Sequence, residues 1–292
     1  MENKSGACWV VSFAPCAEMP GEISAFLEEY FDVVAVDYTD DGLEQYKGYK
    51  NAAFDEADLL AEAGRRSLSL PPYDKEFLQS DNWLKDYVIK FNPVEAGDFL
   101  IYGIHEKEAP KTDKLALRVY AATAFGSEHQ TTKSCLEAIS FLNRLAVPCA
   151  RILDMGTGSG ILALACAKLW KNKTYITAVD IDEEAVWVTR RNAEDNGLQD
   201  FITAAVSNGY ASSLVGENAP YDVIISNILA RPLIEMAPDL YQCLAPGGYC
   251  ILSGFVEDQE DWVVRAHAEL GLSPVKTYKI DNWRAVVMEK RK

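Results

Sequence analysis

The chain lacks any long apolar run, and none of its apolar segments reaches the roughly 18 residues that a membrane-spanning helix requires. Its first residues, MENKSGACWVVSFAP, also lack the basic region and small-residue cleavage site of a secretory leader. Cysteine is present but unpatterned, because the seven cysteines include no C-x-x-C pair. These absences predict a cytoplasmic protein without disulfides and without a zinc site.

Basic residues are scarce relative to acidic ones, with 28 Lys and Arg against 44 Asp and Glu, which gives a net charge of −16. Nonspecific nucleic-acid binding depends on neutralising phosphates with cationic side chains, so this charge argues against nucleic acid as a direct partner. A basic partner fits the charge better, although acidity also promotes solubility by itself.

The 292 residues exceed the usual size of one domain, which predicts two domains with separate cores. Short elements alternate near the N-terminus in the order β-α-β-β-α-β, with the third strand at YKNAAFD. That order predicts a ferredoxin-like α+β domain over 1–78, interpreted as the part that recognises the substrate. A connector is predicted over 79–124, with a helix around NWLKDYVIKF and strands at DFLIYG and LALRVYAATAF.

From about residue 130 onward, helices and strands alternate regularly. Apolar strands at RILDM, YITAVD and YDVIISN are separated by the helices ILALACAKLW and EEAVWVTRRNAEDNG. This alternation predicts a parallel sheet with right-handed crossovers. The chain over 125–292 is therefore predicted to be a doubly wound, Rossmann-like α/β domain.

The sharpest signal is Asp154-Met-Gly156-Thr-Gly158-Ser-Gly160, which lies between an apolar strand and an apolar helix. Glycine permits a tight turn and a close approach of the backbone to a ligand. The next strand ends in Asp180, with Asp182 close behind, where a carboxylate can bind ribose hydroxyls. These residues predict a site for a cofactor that contains a nucleoside.

Two classes of cofactor compete for this turn. Nicotinamide and flavin sites use G-x-G-x-x-G and direct a helix N-terminus at a pyrophosphate. Here the spacing is G-x-G-x-G, and Asp154 stands where it would repel a phosphate at close range. S-adenosylmethionine carries a sulfonium and an ammonium and no phosphate, so the same carboxylate favours it. The turn and Asp180 together resemble the first two motifs of class I methyltransferases.

Asn227 ends the strand YDVIISN and stands at the carboxyl edge of the predicted sheet, where open α/β sheets bind ligands. Its amide oxygen can accept a hydrogen bond from an amine, which makes it the candidate that orients an acceptor nitrogen. A helix N-cap is the alternative interpretation. Ser207 and Asn208 follow the preceding strand, where a polar residue commonly meets adenine, but turn chemistry explains them equally well.

Over nearly its whole length the chain resembles the PrmA family, methyltransferases of ribosomal large-subunit protein eleven. The segments that carry the resemblance are NWLKDYVIKFNPVEAGD, AFGSEHQTTKSCLEAI, DMGTGSGILALACAKL, AVDIDEEAVWVTRRNAEDNG, SNILARPLIEMAPDL and LAPGGYCILSGF. The Asn-Ile-Leu and Phe-Gly segments are fairly specific to this family, whereas the glycine turn is shared by very many methyltransferases.

The resemblance implies roles for individual residues. Thr131 and Thr132 belong to a segment that closes over the cofactor, and Asn227 faces the acceptor beside the cofactor. The remaining cofactor-binding positions are Asp154, Gly156, Gly158 and Asp180. Two positions depart from the family. The segment from Phe125 to Thr132 is one residue shorter than the usual F-G-T-G-T-H-P-T-T, and Arg231 replaces a common glycine.

The expected reaction is direct transfer of the sulfonium methyl to a neutral amine, a lysine side chain or an N-terminus, of a ribosomal large-subunit protein. His129 is a possible proton acceptor, although a lone histidine in a loop is more often structural. A lysine of another protein or a small amine is the alternative substrate. A nicotinamide oxidoreductase and a noncatalytic scaffold remain open alternatives from other classes. No metal and no membrane are expected to take part.

Overall fold

The computed structural model describes residues 8–39, 43–51, 54–78, 91–106, 108–120, 130–171 and 173–292. The chain divides into two compact units, Met1–Tyr87 and Val88–Lys292. The helix predicted around NWLKDYVIKF falls outside the described residues, apart from its last residue, Phe91. Within the described part of the chain, no helix combines the length and apolar character needed to cross a membrane.

The first unit contains one antiparallel sheet in the order β2-β3-β1-β4, the strand order of a ferredoxin-like fold. Two helices pack on the sheet over a core that includes Phe13, Phe26, Leu27 and Leu59. The elements are β1 (Cys8–Phe13), α1 (Gly21–Tyr30), β2 (Val33–Tyr38), β3 (Glu44–Asn51), α2 (Glu56–Arg65) and β4 (Tyr73–Leu78). The predicted β-α-β-β-α-β order is therefore confirmed.

The third strand of this unit begins earlier than predicted. YKNAAFD covers residues 49–55, whereas β3 spans Glu44–Asn51 and pairs with both β1 and β2. Its sequence, EQYKGYKN, is mostly polar and contains no aliphatic residue. Backbone pairing on both sides, rather than side-chain hydrophobicity, therefore fixes this central strand.

The second unit is built on a seven-stranded sheet in the order β10-β9-β8-β11-β12-β14-β13. Strands β8 to β12 run parallel, and β14 runs antiparallel between β12 and β13. The strands are β8 (Arg151–Met155), β9 (Tyr175–Asp180), β10 (Ile202–Val206), β11 (Tyr221–Asn227), β12 (Leu244–Val256), β13 (Leu272–Ile280) and β14 (Trp283–Lys290). The predicted doubly wound α/β fold is confirmed.

Helices separate these strands along the chain. They are α3 (Gln130–Arg144), α4 (Ile161–Leu169), α5 (Glu183–Asp195), α6 (Ser213–Asn218), α7 (Ala230–Glu235), α8 (Ala237–Cys243) and α9 (Glu257–Ala268). The order of the strands reverses between β8 and β11, which are hydrogen-bonded neighbours. Parallel sheets bind ligands beyond the carboxyl ends of their strands at such a reversal, so the fold places a site there.

The strands predicted inside the connector belong to the second unit. They are β6 (Phe99–Gly103) and β7 (Leu115–Val119), and a further strand that was not predicted, β5 (Val94–Ala96), pairs with β6. The resulting three-stranded sheet shares a core with α3 and α4. The outer edge of β7 is bonded by two side-chain amides of α5. Asn196 accepts from the N–H of Arg118 and donates to its carbonyl, and Asn192 does the same for Tyr120.

Candidate cofactor and acceptor site

The glycine turn that follows β8 depends on glycine for two separate reasons. Gly156, Gly158 and Gly160 have φ angles of 75°, 54° and 79°, which side-chain-bearing residues rarely adopt. A Cβ atom on Gly156 would also lie only 2.3 Å from Cγ2 of Ile228. The turn is anchored to the neighbouring strand, because the Gly156 N–H donates to the carbonyl of Val179 at 2.8 Å.

Asp154 lies at the end of β8 and is almost completely buried, with 1% of its surface exposed. Its Oδ2 atom accepts hydrogen bonds from the Thr157 hydroxyl at 2.8 Å and the Ala163 N–H at 3.1 Å. Its Oδ1 atom is buried without a partner among the described residues. Burial raises the pKa of this carboxyl from 3.8 to about 6, although both hydrogen bonds lower it and the charge of Asp180 raises it slightly.

The structure separates the two acids that follow β9. Asp180 is partly exposed, and its carboxylate accepts from the N–H of Gly158 at 2.9 Å and the N–H of Asp182 at 3.1 Å. Asp182 is exposed and caps helix α5 by accepting from the Glu184 N–H at 2.9 Å. The Asp180 carboxylate is thus held directly beside the glycine turn, whereas Asp182 serves the helix N-terminus.

Asn227 is the last residue of β11, the strand that pairs with β8. Its Nδ2 atom donates to the Thr132 hydroxyl at 3.5 Å, and its Oδ1 atom is buried without a partner among the described residues. Thr131 and Thr132 occupy the first turn of α3 and are themselves buried. In the β8–β11 register Asp154 lies opposite Ile225, two residues before Asn227. The structure therefore brings the predicted cofactor and acceptor residues to one edge of the sheet.

The backbone after Asn227 is tightly enclosed. The Ile228 N–H donates to the carbonyl of Ser253 at 3.0 Å. A Cβ atom on Gly254, which has a φ of 95°, would lie 2.2 Å from the Ile228 carbonyl oxygen. Since a Cβ atom on Gly156 would meet the side chain of the same residue, both glycines leave room for Ile228, which follows Asn227 directly.

The other residues singled out in the sequence form a turn, lie on the surface or fall outside the described residues. The Ser207 hydroxyl donates to the carbonyl of Gly209 and accepts from the Ser212 N–H, so it stabilises a turn. Asn208 is exposed at the start of a short 3-10 turn. The side chain of Arg231 is 82% exposed and lies 4.0 Å from Glu235. His129 lies outside the described residues, and no cluster in the described part of the chain has the side chains to hold a metal.

Sequence reasoning missed two residues that touch the glycine turn. Thr189 donates from its hydroxyl to the Gly158 carbonyl at 3.0 Å, and Asn192 donates from its amide to the Ser159 carbonyl at 2.8 Å. Both side chains are fully buried. The available signal was their helical spacing. Thr189 and Asn192 each lie four residues after a buried apolar residue, Ala185 and Val188, and therefore on the buried face of α5.

Comparison with known proteins identifies the family of the chain. The sequence profile of the family described as "Ribosomal protein L11 methyltransferase (PrmA)" matches residues 26–291. The fold resembles the solved structure of a ribosomal protein L11 methylase from Lactobacillus delbrueckii subsp. bulgaricus. That structure has a TM-score of 0.61 and 26% identity and covers 70% of this chain and 100% of its own.

Two curated relatives are named ribosomal protein L11 methyltransferase. The protein from Brucella suis is 34% identical over 270 residues, which cover 89% of this chain and 94% of the relative. The protein from Sinorhizobium fredii is 38% identical over 232 residues, which cover 79% of each chain. With a matching profile over most of its length and relatives above 30% identity, the chain belongs to the PrmA family of ribosomal protein L11 methyltransferases.

Proposed function

We propose that this protein transfers the methyl group of S-adenosylmethionine to amine nitrogens of ribosomal protein L11, on lysine side chains or at the N-terminus. The observation that carries the proposal is the juxtaposition of two strand ends, with buried Asp154 on β8 and Asn227 on the adjacent β11. Family membership supports the choice of substrate. Because the proposed substrate is a ribosomal protein, we expect the enzyme to act in the cytoplasm and not at a membrane. The net charge of −16 argues against direct contact with nucleic acid.

The residues at this edge fit S-adenosylmethionine. The buried Oδ1 atom of Asp154 has no partner among the described residues, and a cationic cofactor would provide one. The turn at Gly156 and Gly158 allows a close approach of backbone to ligand. The partly exposed carboxylate of Asp180 can accept hydrogen bonds from ribose hydroxyls. When bound, the cofactor supplies an electrophilic methyl group on a sulfonium sulfur.

The proposed transfer is a single displacement. The lone pair of a neutral amine forms a bond to the methyl carbon while the carbon–sulfur bond breaks. The electron pair of the broken bond would remain on sulfur, so that the products would be neutral S-adenosylhomocysteine and a methylated amine that carries the positive charge. A lysine must first lose its proton to water, because its unperturbed pKa is about 10.4.

Asn227 is the residue that we assign to the acceptor. Its buried Oδ1 atom can accept an N–H of the amine and so direct the lone pair toward the methyl group. Alignment of this kind supplies roughly 7–11 kcal/mol of barrier reduction in well-oriented reactions. The contact from Nδ2 to the Thr132 hydroxyl supports this assignment, because it would leave Oδ1 as the end of the amide that faces the acceptor.

The reaction is tested with purified ribosomal protein L11, labelled cofactor and mass spectrometry of the product. Asn227→Ala should lower kcat while the Kd for S-adenosylhomocysteine stays within about twofold of wild type, because the lost contact serves the acceptor only. Calorimetric titration with S-adenosylhomocysteine and with NAD separates the cofactor classes. Binding of NAD in place of S-adenosylhomocysteine, or an unmethylated L11, would contradict the proposal.

We also propose that the ferredoxin-like unit, predicted over 1–78, binds the protein substrate and takes no part in methyl chemistry. In support, the glycine turn and both acids of the proposed cofactor site lie in the second unit, which has its own core. A chain that begins at Ser80 should still bind S-adenosylhomocysteine but lose activity on L11. Full-rate methylation of L11 by the shortened chain would refute the docking role.

A further inference from the structure

Helix α5 contacts the backbone of the glycine turn through two side chains to which the proposed function assigns no role. The Thr189 hydroxyl donates to the carbonyl of Gly158 at 3.0 Å, and Nδ2 of Asn192 donates to the carbonyl of Ser159 at 2.8 Å. Both side chains have no exposed surface. Two successive carbonyls of the turn are therefore fixed from the same side.

This contact determines how the turn presents its amide groups. In a planar trans peptide the carbonyl and the following N–H point in opposite directions. A Gly158 carbonyl turned toward α5 therefore turns the N–H of Ser159 away from α5. The helix also approaches the turn closely, because a Cβ atom on Gly160 would lie 2.9 Å from Cγ2 of Thr189. Small shifts of the turn relative to α5 are consequently restricted.

Asn192 connects the turn to a second element with the same amide group. It accepts from the N–H of Tyr120 at 2.7 Å and donates to the Tyr120 carbonyl at 3.2 Å. One turn further along α5, Asn196 makes the equivalent pair of bonds with Arg118. No hydrogen bond between Asn196 and the glycine turn occurs among the residues that the structure describes. Asn196 is thus a matched control for the contact that only Asn192 makes.

We infer that Thr189 and Asn192 are positioning residues of the cofactor site. They hold the peptide groups after Gly158 and Ser159 in the orientation that receives the cofactor, so that binding needs no rearrangement of the turn. This inference rests on the proposed cofactor site at Asp154 and Asp180.

The test uses the full chain and calorimetric titration with S-adenosylhomocysteine. Thr189→Val removes the hydroxyl but keeps the shape of the side chain, and Asn192→Ala removes the amide. Each should raise the Kd by about fivefold to tenfold, the size expected for the loss of one positioning hydrogen bond. Thr189→Ser restores the donor and should restore the affinity. Asn196→Ala should lower the melting temperature but leave the Kd within about twofold of wild type.

Steady-state kinetics provides the readout that a purely structural role would not change. Thr189→Val should raise the KM for S-adenosylmethionine while kcat and the KM for L11 stay near wild type. If Thr189→Val binds like wild type while Asp180→Ala binds weakly, the positioning role is wrong but the cofactor site stands. If Asp180→Ala also binds like wild type, the proposed site itself is wrong. Should Asn192→Ala fail to fold, the isosteric Thr189→Val and its serine rescue still decide the question.

Discussion

Replacement of Asp154 by asparagine should change the stability of the protein and its affinity for the cofactor in opposite directions. The carboxyl is buried, and its Oδ2 atom accepts both of its hydrogen bonds. An asparagine can place its carbonyl oxygen at that point and keep both bonds. Its amide nitrogen then takes the position of Oδ1, which has no partner among the described residues. The substitution therefore removes the charge and leaves most of the local geometry intact.

The magnitude follows from the pKa of Asp154, which burial raises from 3.8 to about 6. One pKa unit corresponds to about 1.36 kcal/mol, so the ionised carboxyl costs the folded protein about 3 kcal/mol at neutral pH. Because the folded pKa lies above the unfolded one, protonation of Asp154 stabilises the folded protein. This stabilisation is complete below the unfolded pKa and is lost as the pH rises through 6. About half of this stabilisation is lost between pH 5 and 7.5.

The assay is thermal unfolding of wild type and Asp154→Asn without cofactor at pH 5 and at pH 7.5. From pH 5 to pH 7.5 the melting temperature of the variant should rise by roughly 3–6 °C relative to that of wild type. This range assumes about 2–4 °C per kcal/mol for a unit of this size. In calorimetry at pH 7.5 it should bind S-adenosylhomocysteine about 10- to 100-fold more weakly, since a charged hydrogen-bond partner is lost. A difference in melting temperature that does not depend on pH would refute the reasoning about burial, and unchanged affinity would refute the contact with the cofactor.

Two further predictions concern the glycine turn and a buried histidine. Gly156→Ala should weaken S-adenosylhomocysteine binding more than Gly158→Ala. Both glycines have positive φ, but only at Gly156 does the added Cβ meet another residue, so equal calorimetric effects would contradict the steric argument. Burial lowers the pKa of His267, so its stabilising contribution is complete above the unfolded value of 6.5 and is lost as the pH falls below it. Denaturant titrations at pH 7.5 and 5.5 should therefore show wild type losing stability relative to His267→Leu on acidification, and parallel curves would argue against this.

The sequence predicted the parallel core of the second unit closely because its strands are short apolar runs between clear helix signals. β8, β9 and β11 begin and end at the predicted residues. β3 was placed too late because its mostly polar sequence gives no hydrophobic signal, and its boundaries depend on pairing with two other strands. The family and the enzyme class, methyltransferase, were predicted from the motifs and the resemblance and were confirmed by the comparisons.

The site was predictable only as far as strand ends determine it. Asp154, Asp180 and Asn227 each follow a strand, and the register brings them to one edge. The residues alone did not separate the two nearby acids, because a helix cap and a ligand-binding carboxylate look alike in sequence. The family resemblance named Asp180, and the structure places Asp180 beside the turn and gives the cap to Asp182. The roles of Thr189 and Asn192 were missed for a related reason, since helical periodicity marks a buried polar residue but does not identify its backbone partner.

The edge of β7 is covered by side-chain amides in place of a neighbouring strand. A strand at the border of a sheet presents unpaired N–H and C=O groups to any other extended chain, which makes such borders starting points for aggregation. Here Asn192 and Asn196 bond the groups of alternate residues, Tyr120 and Arg118, as a further strand would. A helix thereby terminates a sheet without adding a strand to it. Loss of both asparagines would free four backbone groups in a row, and self-association of the protein would then compete with folding.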